Sequence, residues 1–335
     1  MRNLKTKKYG LVSACFTALC MSGVLSVSAL GLELVPVGSA IGIDVDVDGV
    51  LVDKLRPVET EKGEQFPGKA AGLKEGDVII GVDGEEIDDL EDFSEEIERL
   101  DGTPLELKVL REGKIRTVTI QPALSRDGAY RLGLWLRDRV SGIGTVTYYD
   151  PNSGKYGALG HGINDSNTGL PIPIEKGQSY DASIVDVVRG QSGDPGELTG
   201  SFDSGAVFGS IGANTVYGIF GKCSRAPATG VAMETAAAGE VQEGAAQILS
   251  TVCGTEPKLY DIRIDSIRRS GGEERYRISV TDPALLQQTG GVVCGMSGSP
   301  IIQDGKLVGA VTHVLVNDPT RGYGIFIENM LDAAA

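Results

Sequence analysis

A chain of 335 residues holds roughly two domains and a leader. With 47 glycines and only 5% aromatic residues, it favours short strands and tight turns over long helices. The formal net charge of −15 excludes a nucleic-acid-binding role, which needs a basic surface, and reads as solubility.

Arg2, Lys5, Lys7 and Lys8 precede a stretch from Leu11 to Leu32 without a charged residue. About 20 apolar residues span a bilayer. Positive charge ahead of the span keeps the N-terminus cytoplasmic, so the rest of the chain is predicted to be exported. Ser13, Thr17, Ser22, Ser26 and Ser28 dilute the run, and Val27-Ser28-Ala29 has the form of a signal-peptidase site. Residues 1–32 are therefore expected to be a signal peptide or a membrane anchor, and either places the working domains outside the cytoplasm.

Residues 33–122 form the first predicted module. Ile43-Asp44-Val45-Asp46-Val47 alternates like a half-buried strand. Pro67 to Leu73 reads as a short helix, Val78 to Val82 as a buried strand, and Asp83-Gly84 as a hairpin turn. Leu90, Phe93, Ile97 and Leu100 lie at helical spacing with acids between them. Leu105 to Leu110 and Arg116 to Ile120 are two further strands. The stretch Ala70-Ala71-Gly72-Leu73-Lys74-Glu75-Gly76-Asp77-Val78-Ile79, with Val82-Asp83-Gly84, resembles a bacterial PDZ domain. The resemblance implies an α+β fold that binds an extended peptide as an added strand. It puts the groove near Gly38 to Gly42, with Ile41, Gly42 and Ile43 on it.

Residues 123–335 read as many short strands with glycine-rich turns, which predicts a pair of β-barrels. Thr145 to Tyr149 and Lys155 to Leu159 make a hairpin leading into Gly160-His161-Gly162. Ile262 to Ile267 and Tyr276 to Val280 alternate about Gly271-Gly272, and Asp304-Gly305 turns a later hairpin. Val241 to Val252 is ambiguous between helix and strand. Cys223, Cys253 and Cys294 have no metal-ligand spacing, and no metal or other cofactor is expected. A Cys223–Cys253 bridge is open, and Cys294 is read as a small buried residue.

The chemistry centres on Gly295-Met296-Ser297-Gly298-Ser299-Pro300. Glycines let a tight turn present a hydroxyl beside converging backbone N–H groups. A serine nucleophile needs a base, and the chain has two histidines. His161 sits between glycines at a strand end, whereas His313 lies in an apolar strand and reads as structural. The orienting carboxylate stays open among Asp165, Asp181, Asp186, Asp194 and Asp282.

Ala158-Leu159-Gly160-His161-Gly162-Ile163, Thr281-Asp282-Pro283-Ala284-Leu285-Leu286 and Thr289 to Gln303 resemble the SpoIVB sporulation serine peptidases of endospore-forming Firmicutes. Gly309 to Val314, Asn317-Asp318-Pro319 and the order leader, PDZ domain, peptidase domain agree. The resemblance implies a mainly β, chymotrypsin-like double-barrel endopeptidase with His161, Asp282 and Ser297 as catalytic residues. Gly295 and Ser297 N–H groups would form the oxyanion hole. Asp282 stands only fifteen residues before Ser297, and Met296 replaces the common aspartate of such motifs. The family further implies a role in sporulation signalling, between forespore and mother cell. The enzyme would cleave itself and a membrane-associated sporulation protein and so trigger pro-sigma-K processing. Its partners would be proteins with extracytoplasmic segments and peptides at the PDZ groove. The alternatives are an envelope quality-control protease and a non-enzymatic anchored PDZ scaffold.

Overall fold

The computed structural model describes residues 31–335 apart from 166–167, 228–229 and 270–273. The leader expectation for residues 1–30 and the Gly271-Gly272 turn lie outside the described residues. Among the described residues no helix is long and apolar enough to cross a membrane.

Two long strands organise the N-terminal half. Ala40–Leu55 and Leu134–Tyr149 pair antiparallel from Leu134↔Leu55 to Thr145↔Ala40. Toward one end of the pair, Leu134–Tyr149, Lys155–Ala158, Gly218–Cys223, Glu197–Thr215, Ile174–Val188 and Ala40–Leu55 follow one another, each paired with the next. The last pairs with the first, so these strands close a barrel. Its core holds Ile41, Ile43, Val45, Val146, Tyr156 and Ile211.

Toward the other end the same two strands enter a different core. Gly49 has φ +109, and a Cβ there would stand 2.6 Å from the Ile79 carbonyl oxygen. This glycine shifts the alternation. Ile41, Ile43 and Val45 point into the barrel, whereas Val50 and Val52 point into the core of the PDZ unit with Ile79, Phe93, Leu107 and Val109. That unit adds Val78–Val82, Leu105–Arg111 and Lys114–Ile120 to the sheet, with helices Pro67–Ala70 and Leu90–Ile97. Asp83 and Gly84 have φ 49 and 98, the turn expected from Asp-Gly.

The second barrel closes in the order Gly244–Ser250, Lys258–Arg268, Arg275–Val280, Arg321–Phe326, Lys306–Val314, Pro300–Gln303. The ambiguous Val241 to Val252 stretch thus resolves as a strand. Its apolar positions Ala246 and Ile248 alternate into the barrel core. The molecule is mainly β, with a PDZ unit and two barrels. The PDZ unit is inserted between two strands of the first barrel. Glu33–Pro36, ahead of the PDZ unit, pairs with Leu134–Tyr149 of the first barrel.

Candidate active site

Ser297 sits on a loop held from both barrels. Helix Pro283–Thr289 leads into it and ends at Gly290, with φ +78. Gly295 and Gly298 both have φ +96, which an ordinary L-residue adopts only with strain. A Cβ on Gly298 would stand 2.1 Å from the Thr145 carbonyl oxygen. Thr145 Oγ1 donates to the Gly295 carbonyl at 2.9 Å, and Thr147 Oγ1 donates to the Gly298 carbonyl at 2.7 Å. Gly298 N–H donates to the Val311 carbonyl at 2.7 Å. Met296 is fully buried in the core of the second barrel, a packing role in place of a charged one.

The two serines separate cleanly. Ser299 is completely buried, and its Oγ contacts Ser250 Oγ at 2.9 Å and the Met296 carbonyl at 2.7 Å. Ser297 is half-buried and lines a cleft of about 710 Å³, with its Oγ donating to the Thr312 carbonyl at 2.6 Å. Among the described residues, neither Gly295 N–H nor Ser297 N–H donates a hydrogen bond. Two free donors beside a nucleophile are what an oxyanion requires.

His161 lines the same cleft. It follows Leu159 and Gly160, with φ +70 and +68, so the chain turns sharply off strand Lys155–Ala158. His161 Nδ1 lies 2.7 Å from the Gly162 carbonyl oxygen. A carbonyl only accepts, so Nδ1 carries the proton and Nε2 keeps its lone pair. Burial lowers the His161 pKa, opposed by that hydrogen bond, which leaves a neutral imidazole near pH 7. Ser297 Oγ is not bonded to His161 here. Catalytic hydrogen bonds of this kind commonly form only with substrate bound.

His313, expected to be structural, also lines the cleft, its ring centroid 4.7 Å from that of His161. The pairing of its strand shifts register between Val311 and Val314, which turns the residue out of the barrel. The residue is exposed as a whole, but its ring sits in the crowded cleft. Lost hydration first, then His161 and Arg275, push its pKa down to about 4. Cys294, expected to be buried, is exposed and lines the cleft, because its backbone pairs with Gly196 and Leu198 at the cleft rim. Cys223, Cys253 and Cys294 are all free thiols, so there is no Cys223–Cys253 bridge. Among the described residues no cluster could hold a metal ion.

The structure does not bring Asp282 to His161. Its Oδ1 accepts from Ala284 N–H at 2.8 Å and Leu285 N–H at 3.0 Å, capping helix Pro283–Thr289, and its Oδ2 accepts from Asp261 N–H at 3.3 Å. Burial first, and then the Asp282 carboxylate, raise the Tyr260 pKa. Asp followed by Pro at the first helical position is a helix-start signal, and it was readable in Thr281-Asp282-Pro283. Asp194 is likewise outside the dyad: its Oδ1 accepts from Gly196 N–H at 3.3 Å within an exposed turn.

The residues expected on the peptide groove lie inside the sheet. Ile41, Gly42 and Ile43 are paired on both edges, with Gly144, Ile143 and Gly142 on one side and Asp181, Tyr180 and Ser179 on the other. No strand can be added there. Sequence reasoning missed a cleft of about 560 Å³ between helix Leu90–Ile97 and segment 130–136, floored by Leu90, Phe93, Ile97, Leu132, Leu134 and Leu136. The apolar stripe of the helix and the alternating Leu132, Leu134 and Leu136 were its signals.

A PDZ unit set into a double-barrel domain thus carries a serine on a glycine loop in one cleft with a neutral histidine. The chain belongs to the SpoIVB peptidase S55 family, whose model matches residues 128–331. A PDZ domain model matches residues 29–121. Zinc metalloprotease RasP of Geobacillus kaustophilus is 34% identical over 88 residues, covering 26% of this chain and 20% of that protein. A DegP-like periplasmic serine endoprotease of Rhizobium meliloti is 31% identical over 109 residues, covering 31% and 20%. The chain thus spans about a fifth of the length of these curated relatives. Among solved structures, the active form of the Rv3671c protease of M. tuberculosis matches with TM-score 0.32 and 16% identity, over 57% of this chain and 73% of that one. The PDZ domain of an SdrC-like protein from Listeria monocytogenes matches with TM-score 0.22 and 22% identity, over 28% and 90%.

Proposed function

We propose that this serine peptidase works outside the cytoplasm in sporulation signalling, cleaving itself and a membrane-associated sporulation protein and so triggering pro-sigma-K processing. The observation that carries the peptidase chemistry is the joint position of Ser297, His161 and two unbonded N–H groups in one cleft.

In this reading Ser297 Oγ attacks the substrate carbonyl carbon while His161 Nε2 takes its proton. The carbonyl oxygen becomes an oxyanion held by Gly295 N–H and Ser297 N–H. The C–N bond then breaks, and the leaving amine takes the proton from Nε2. Water repeats the cycle, giving its proton to Nε2 and its oxygen to the acyl carbon; the bond from that carbon to Ser297 Oγ then breaks, and Nε2 returns the proton to Oγ. The Gly162 carbonyl fixes the tautomer that a carboxylate fixes in other serine peptidases. Asp282 supports the site by capping the helix that leads into the nucleophile loop.

A fluorophosphonate probe tests the chemistry: it should label the wild-type chain and leave Ser297→Ala unlabelled, with both melting alike. Equal labelling of the two would remove Ser297 from the mechanism. For the biological role, Ser297→Ala in a sporulating host should leave pro-sigma-K unprocessed, and normal processing there would sink that assignment. Cleavage at a few defined sites separates this role from envelope quality control, which degrades unfolded protein in general.

A further inference from the structure

Strand Leu134–Tyr149 has one closed and one open edge. Its closed edge pairs with Ala40–Leu55 from Leu134 to Thr145. On the other edge the partner Lys155–Ala158 begins only at Val146. Among the described residues, 134–144 therefore carry backbone groups with no strand beside them, and residues 134–143 are all at least partly exposed. A row of unpaired N–H and C=O groups is a template for another strand.

The two ends of this edge lie in the two clefts. Leu134 and Leu136 line the groove beside helix Leu90–Ile97, whereas Ser141, Gly142 and Ile143 line the cleft of Ser297 and His161. The distance between them is nine residues of extended chain, about 30 Å at a rise near 3.3 Å per residue. The groove's Arg56 is in no ion pair among the described residues and lies 5.1 Å from the Trp135 ring, a position suited to a chain-terminal carboxylate. Glu59, also at the groove, lies 3.5 Å from Arg126. Thr145 N–H, at the cleft end, points to this edge and donates to the Ser297 carbonyl. Backbone direction alternates along a strand, so the N–H groups of Ser141 and Ile143 share that edge.

We propose that the open edge carries the substrate polypeptide as an added antiparallel strand. A segment ending in the PDZ groove then sets which bond reaches Ser297, about ten residues upstream of the docked end. This rests on the peptidase reading above. It makes the protein a ruler, with one strand joining docking site and nucleophile.

The test uses the full chain and quenched fluorescent peptides. All share one scissile segment and the last residues Val-Leu-Val with a free carboxylate, joined by Gly/Ser spacers giving separations of four, ten or sixteen residues. The expected kcat/KM at ten is about tenfold above that at four or sixteen, from the raised effective concentration of the scissile bond. Equal values at all separations overturn the proposal. In a second series, N-methyl groups walk along the linking residues. Loss of rate at alternate positions supports an added strand, and an even response overturns it. Fluorophosphonate labelling of Ser297 separates the two failures. Labelling with flat spacer dependence removes only the ruler, whereas absent labelling removes the peptidase reading with it.

Discussion

Two serines two positions apart, Ser297 and Ser299, illustrate how burial assigns chemistry. Ser299 makes its hydrogen bonds inside the second barrel, so Ser299→Ala should retain cleavage while losing about 1 kcal/mol of stability, read from the denaturation midpoint. Abolished cleavage in a well-folded Ser299→Ala chain would reverse the assignment of the two serines. His161 gives the pH dependence. Its pKa is held below the ordinary 6.5 by burial, and only the neutral ring accepts the Ser297 proton. The rate kcat/KM should therefore be level above pH 6.5 and fall as pH drops below it. Stability follows the same sign. In acid the unfolded chain binds protons that the folded histidines resist, so stability is full above 6.5 and declines toward about 4, where His313 titrates. A rate profile whose acid limb lies above 6.5 would contradict the buried base.

At the scale of elements, helix Pro283–Thr289 is short and depends on its ends. Asp282 satisfies two of its N-terminal N–H groups, and Thr289 Oγ1 closes its far end against the Leu285 and Gly291 carbonyls. Asp282→Ala should cost about 1 kcal/mol and slow cleavage, because the freed helix loosens the loop that follows. Asp282→Asn keeps a capping oxygen and should restore both the melting temperature and kcat. A well-folded Asp282→Asn chain without activity would show instead that the carboxylate itself serves the chemistry. Much of this scale was legible in the sequence: Asp83-Gly84 and Asp304-Gly305 adopt the positive φ their turns require, and the alternating stretches became strands. The serine and histidine loops announced themselves through glycines at the positions where backbone crowds backbone. The edges did not. Alternation at Ile41, Ile43 and Val45 tells that one face is buried, yet it carries nothing about what pairs with the backbone on either side. The groove was therefore expected on a strand whose edges are both taken, and Asp282 on a histidine it does not touch.

For the whole molecule the question is where one unit ends. Ile41, Ile43 and Val45 lie in the first barrel's core, although they precede the entire PDZ unit in sequence. Burying three such side chains contributes roughly 5–8 kcal/mol together, comparable to the whole stability of a domain, about 5–15 kcal/mol. A fragment comprising residues 123–335 lacks them and leaves Leu134–Tyr149 and Ile174–Val188 without their shared neighbour. It should show no cooperative thermal transition and no fluorophosphonate labelling. A different excision respects the pairing. Asp46 stands opposite Arg139, so joining residues 31–46 to 139–335 through Asn-Gly supplies the two-residue turn that such a register needs. That chain keeps all six strands of the first barrel and discards the PDZ core as a unit, at the cost of baring Ile172 where Leu51 and Val78 covered it. It should melt cooperatively, label at Ser297 and cleave short peptides, while losing any preference for a docked end. If the 123–335 fragment folded and labelled as well as the rejoined chain, the two long strands would be a convenience of connection rather than the frame on which both sites are built.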